Sequence, residues 1–88
     1  MSNATQARIL IVDDTEVNVQ LLRNMLRLHA YEIMTAENGK VALERINQQK
    51  PDVLLLDINM PEMDGYEVCA YLKAQPHTRH IPIIFISS

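Results

Sequence analysis

Four consecutive aliphatic residues, Val53-Leu54-Leu55-Leu56, run directly into Asp57, and a turn-forming segment, Ile58-Asn59-Met60-Pro61-Glu62-Met63-Asp64-Gly65, follows. A half-buried strand alternates apolar and polar residues, so an unbroken aliphatic run of this length predicts a strand covered on both faces. Strands of that kind lie in the middle of parallel α/β sheets, and ligands gather outside their carboxyl ends. Asp57 stands at that end. A carboxylate there needs a cation, a hydrogen bond or a reaction to offset its burial.

Two further runs repeat the pattern. Arg8-Ile9-Leu10-Ile11-Val12 is short, β-branched and followed by Asp13-Asp14, and Pro82-Ile83-Ile84-Phe85-Ile86 leads into Ser87. Both read as buried strands. Between them the pattern lengthens to a helical period. Glu16 to His29 carries Val17, Leu21, Leu22, Met25, Leu26 and Leu28, which we expect to form the inward stripe of a first helix. Asp14 or Thr15 can cap its start, while Arg27 and His29 suit the negative end of its dipole. Tyr31 to Ala36 predicts a strand near the sheet edge, ended by Asn38-Gly39. Val41, Ala42, Leu43 and Ile46 mark a second helix, and Tyr66 to Ala74 a third, with Val68, Tyr71 and Leu72 inward and Pro76 as its stop. Lys73, near the end of that helix, is expected to be solvated. The resulting order is βαβαβαβ, with helices long enough for right-handed crossovers.

With 88 residues the chain has room for one small domain and a modest core. Residues 1–6 are expected to be a flexible N-terminal segment or a cloning scar, centred on Ser2-Asn3-Ala4, and the domain to occupy 7–88. The net charge of −3, with Lys and Arg scattered, argues against a nucleic-acid or anionic-membrane surface. No apolar run approaches the roughly 20 residues that span a bilayer. The single cysteine, Cys69, excludes an internal disulfide and fits a reducing, cytoplasmic compartment. His77 and His80 read as loop residues, and Met60 and Met63 as packing for the loop after Asp57.

In a parallel sheet Asp13, Asp14, Asp57 and Ser87 all arrive at one edge. The alternative reading, helix capping and strand-end solvation, explains each acid singly but not their agreement with the strand order. Three carboxylates held together repel and raise one another's pKa. A hard divalent cation removes that conflict, and Mg2+ suits it best, since it binds one or two carboxylates, keeps waters and accepts a phosphate oxygen. An aspartate in that setting can be a nucleophile toward a phosphoryl group.

Asp13-Asp14 after an aliphatic strand, the segment Asp57 to Gly65, and Ile81-Pro82-Ile83-Ile84-Phe85-Ile86-Ser87 together resemble the receiver domain of two-component response regulators. The resemblance runs from about Arg8 to the end of the chain. It implies a flavodoxin-like, doubly wound parallel sheet with strand order 2-1-3-4 here. It further implies Asp57 as phosphoacceptor, Asp14 as a direct Mg2+ ligand, Asp13 as a ligand through water, and the backbone carbonyl of Asn59 as another. Ser87 would be the hydroxyl that follows the phosphoryl group when the domain switches, while Pro61, Asp64 and Gly65 would shape the loop. The implied partner is a sensor histidine kinase or a phosphotransfer protein.

A full receiver of roughly 120 residues continues into a fourth helix, a fifth strand and a fifth helix. Those elements, with the lysine that ends the fifth strand, have no counterpart in this sequence, so we expect a receiver incomplete at its C-terminus. Its open fourth strand is then expected to promote self-association. Two other functions compete. A haloacid-dehalogenase-like phosphohydrolase would also use an aspartyl nucleophile, but that family places a second aspartate two residues later, where this chain has Asn59. A truncated receiver with no activity of its own, acting only by self-association, is the other. A dinucleotide-binding domain is disfavoured because Gly39 and Gly65 are the only glycines.

Overall fold

A computed structural model describes residues 6–86. The chain alternates β1 (Arg8–Val12), α1 (Glu16–Leu26), β2 (Glu32–Ala36), α2 (Gly39–Gln48), β3 (Val53–Asp57), α3 (Gly65–Lys73) and β4 (Ile83–Ile86). The strands form one parallel sheet in the order β2-β1-β3-β4. This is the doubly wound, flavodoxin-like arrangement expected from the alternation of buried-type strands and amphipathic helices.

The two faces of the sheet are covered by different helices. Leu10, Val12, Leu54 and Leu56 pack with Ala42 and Ile46 of α2 and with Val68 and Leu72 of α3. Ile9 and Ile11 pack on the other side with Val19 of α1, and Leu22, Leu26, Ile33 and Leu55 border that cluster. The central strands therefore meet apolar neighbours above and below, which accounts for their uninterrupted aliphatic runs. Leu54 is fully buried, and cutting it back to alanine would cost roughly 2–5 kcal/mol.

The side of α1 that faces the sheet differs from expectation. Val19, absent from the expected stripe, is its buried residue, with Leu22 and Leu26 half-buried beside it. Val17, Leu21, Met25 and Leu28 point outward, at 56–89% exposure. The helix carries apolar residues around most of its circumference, so periodicity alone admits two inward faces, and contact with Ile9 and Ile11 selects one. Tyr71 is likewise half-exposed rather than inward. The first helix also stops at Leu26, because Arg27 to Tyr31 form successive tight turns, with His29 N–H donating to Leu26 and Tyr31 N–H to His29.

Local chemistry sets the other helix starts. Asn38 Oδ1 accepts from the Val41 N–H at 2.8 Å to cap α2. Asp64 and Glu67 cap α3 reciprocally, each side chain accepting from the other's backbone N–H at 2.9 and 3.0 Å. Thr15 occupies the cap position of α1, but its hydroxyl donates to Asp14 Oδ1 at 3.4 Å and no side chain caps the helix, so the capping expected of Asp14 or Thr15 is not made. Among the described residues β4 pairs with β3 alone, and its Ile84 and Phe85 are 54% and 38% exposed.

Candidate functional site

Val12 of β1 is in register with Leu56 of β3, so Asp13 and Asp57, one residue further on each strand, emerge side by side at the carboxyl edge. Asp14 follows at once. One carboxylate oxygen from each of the three lies within 4.8 Å of the others. Asp13 and Asp57 are buried, at 3% and 1% exposure, while Asp14 opens to solvent.

Short local turns orient the buried pair. Asp13 Oδ1 accepts the Thr15 N–H at 2.9 Å, and Asp57 Oδ1 accepts the Asn59 N–H at 3.1 Å. Both are bonds two residues along the chain, the pattern for which aspartate is suited. The second oxygen of Asp57, Oδ2, is buried with no hydrogen-bond partner among the described residues. Burial pushes the Asp57 carboxyl above its ordinary pKa, and the charges of Asp13 and Asp14 push the same way, whereas the Asn59 N–H works against them. An unsatisfied buried acceptor beside two more carboxylates costs free energy unless a positive charge arrives. The donor set therefore fits a hard divalent cation with oxygen ligands.

The loop after β3 holds Asp57 in place. Gly65 N–H donates to the Ile58 carbonyl at 3.1 Å, and a Cβ on Gly65 would overlap the carbonyl oxygen of Asp57. Only glycine allows α3 to begin so close to the end of β3. Pro61 is exposed at the outer bend, and Glu62 beside it adopts a left-handed backbone with φ of 68°. Met60 is buried in the core and Met63 packs against it. Ser87 lies outside the described residues, though Ile86, one residue earlier, is in register with Asp57.

Lys73 differs from expectation. Its side chain is not simply solvated: Nζ donates to the carbonyls of Arg79 and Ile81 at 2.9 and 3.0 Å. Thr78, 2% exposed, donates from Oγ1 to the Leu72 carbonyl at 2.7 Å. Together they fasten the connection that delivers β4 to the site edge. No sequence signal marked Thr78, because a threonine in a polar loop gives no hint of burial.

The doubly wound parallel sheet with a carboxylate triad at its carboxyl edge defines an α/β domain with an acidic pocket suited to a divalent cation. The chain belongs to the response regulator receiver domain family, whose sequence model matches residues 9–88. It is 50% identical over 82 residues to the response regulator PleD of Caulobacter vibrioides, covering 93% of this chain and 18% of that protein. To the polar-differentiation response regulator DivK of Brucella anthropi it is 38% identical over 80 residues, covering 91% of this chain and 65% of that one. Among solved structures, the N-terminal domain of a response regulator receiver protein from Methanoculleus marisnigri superposes with a TM-score of 0.87 at 40% identity, over 92% of this chain and 66% of that one. The chain thus spans less than two thirds of either of these two curated relatives.

Proposed function

We propose that this receiver domain takes a phosphoryl group onto Asp57 from a phosphohistidine of a sensor kinase or phosphotransfer protein. The observation that carries the reading is the buried, unpartnered Oδ2 of Asp57 between two further carboxylates. Its partner Oδ1 is tied to the Asn59 N–H, which leaves Oδ2 as the nucleophile. Oδ2 forms the new O–P bond as the donor's P–N bond breaks, and the departing imidazole takes up a proton from solvent. Asp13 and Asp14, with Asp57 and the backbone carbonyl of Asn59, would hold Mg2+. When bound, Mg2+ would neutralise the charge that gathers on the transferring phosphoryl oxygens. Asp13 is held ready for that role by the Thr15 N–H, and Gly65 keeps the Asp57 backbone close against α3. Ser87 would then hydrogen-bond the phosphoryl group and couple it to a change in surface.

The absence of a second aspartate two residues after Asp57 separates this site from phosphohydrolases of the haloacid-dehalogenase type. The reading places the domain in the cytoplasm, in keeping with its lone, half-buried cysteine and with the finding that none of its described helices is long and apolar enough to cross a membrane. It also includes self-association through β4, whose Ile84 and Phe85 are exposed, Phe85 with its ring 5.2 Å from that of Tyr66.

The test is intact mass after incubation with acetyl phosphate, with and without Mg2+, for the native chain and Asp57→Ala. A single Mg2+-dependent phosphoryl adduct, absent from the variant, is expected. Failure of a folded native chain to gain mass, or a gain in the variant, overturns the assignment.

A further inference from the structure

At the end of the sheet opposite the carboxylates, an open cavity of about 360 Å3 is lined by Arg23, Asn24, Arg27, His29, Tyr31 and Ile33. The chain as a whole carries a net charge of −3, yet no acidic side chain lines this cavity, and residues 1–5 contain none. Among the described residues the one ion pair joins Arg8 to Glu32, so neither Arg23 nor Arg27 is neutralised by a carboxylate. Arg23 also borders a second cleft, whose acidic residues are Asp13, Glu16 and Glu37, but it pairs with none of them.

The ordinary explanation for such residues is compensation of the dipole at the end of α1. That dipole amounts to roughly half an elementary charge. Two arginines exceed it several-fold, which leaves a net positive concavity. Its other walls are also matched to a ligand. Asn24, His29 and Tyr31 add polar side-chain groups, the His29 and Tyr31 rings lie 5.4 Å apart and tilted by 37°, and Ile33 adds an apolar side chain to the lining. Guanidinium forks favour phosphate oxygens, and aromatic faces accept a stacked base.

The geometry points to a binding site for a small organic phosphate bearing an aromatic base, with Arg23 and Arg27 holding the phosphate and the His29 and Tyr31 rings holding the base. Along α1, Arg23 stands seven residues after Glu16, roughly 10 Å from the helix end that adjoins Asp13 and Asp14, and Arg27 lies a further turn away.

The test is a titration of isotope-labelled chain, in phosphate-free buffer, followed by backbone amide resonances. Adenosine 5′-monophosphate, inorganic phosphate and adenosine are the three probes. Saturable shifts confined to residues 23–33 are expected with the monophosphate, with at least tenfold weaker binding of phosphate or adenosine alone. Arg27→Gln is expected to weaken the monophosphate at least tenfold, and Arg45→Gln, an exposed arginine outside the cavity, to leave it unchanged. The same spectra report whether each variant is folded. No saturable shift, equal response to adenosine, shifts centred on Asp13 and Asp57, or an Arg27→Gln chain that binds normally would each overturn the proposal.

Discussion

Gly65 and Asp57 are in backbone contact: the Cα of Gly65 sits against the carbonyl of Asp57 with no space for a side-chain carbon, and its N–H is bonded to the neighbouring Ile58 carbonyl. The start of α3 and the end of β3 are thereby a single rigid unit. Gly65→Ala is expected to force them apart, costing about 1–3 kcal/mol in urea denaturation. Labelling by acetyl phosphate should fall with it, since the acceptor moves together with its carbonyl.

Removing the charge at Asp57 should have the opposite effect on stability. Its folded pKa is raised, by burial first and by Asp13 and Asp14 in addition, so the folded state holds the proton more tightly than the unfolded state. In the metal-free chain the contribution of Asp57 to stability is then fully present below the ordinary carboxylate pKa and is lost as pH rises through the raised value. Asp57→Asn keeps the Oδ1 acceptor for Asn59 and should be more stable than the native chain at neutral pH without divalent cations. That advantage should vanish in acid. Thermal melts across pH, with EDTA or with Mg2+, check both points, and Mg2+ should stabilise the native chain more than the variant.

The connection from α3 to β4 depends on two side chains. Thr78→Val removes the buried hydroxyl donor to the Leu72 carbonyl, which keeps the Gln75 N–H at 3.3 Å, and is expected to cost about 0.5–1.5 kcal/mol. Lys73→Met removes bonds to the Arg79 and Ile81 carbonyls near the surface and should cost less. Amide hydrogen exchange should report faster opening of β4 in both variants, with β1 unaffected.

Glu62 is the non-glycine residue with positive φ among those described. A left-handed backbone costs an ordinary residue roughly 1–2 kcal/mol, and glycine gives back part of that through its greater freedom when unfolded. Glu62→Gly is therefore expected to gain up to about 1 kcal/mol in denaturation, and a β-branched replacement such as Glu62→Val to lose stability.

If β4 mediates self-association, a charge at its centre should prevent it. Ile84 is more than half exposed on the strand that, among the described residues, forms one edge of the sheet. Light scattering at increasing concentration is expected to show oligomers of the native chain and a monomer for Ile84→Lys, since edge lysines block strand pairing. A native chain that stays monomeric at high concentration would remove this part of the reading.

The strands β1, β3 and β4 were legible from the sequence because burial on both faces writes itself into consecutive residues. The acids at two of their ends were legible for the same reason, since strand direction fixes which end Asp13, Asp14 and Asp57 occupy. Those features are local, and local composition determines them. The inward face of α1 was not, because Val17, Leu21, Met25 and Leu28 form as good a stripe as Val19, Leu22 and Leu26 until Ile9 and Ile11 choose between them. Nor could sequence show that Lys73 turns back to two carbonyls, or that Oδ2 of Asp57 is left without a partner. Each of these depends on where another part of the chain lies, and only tertiary packing brings the parts together.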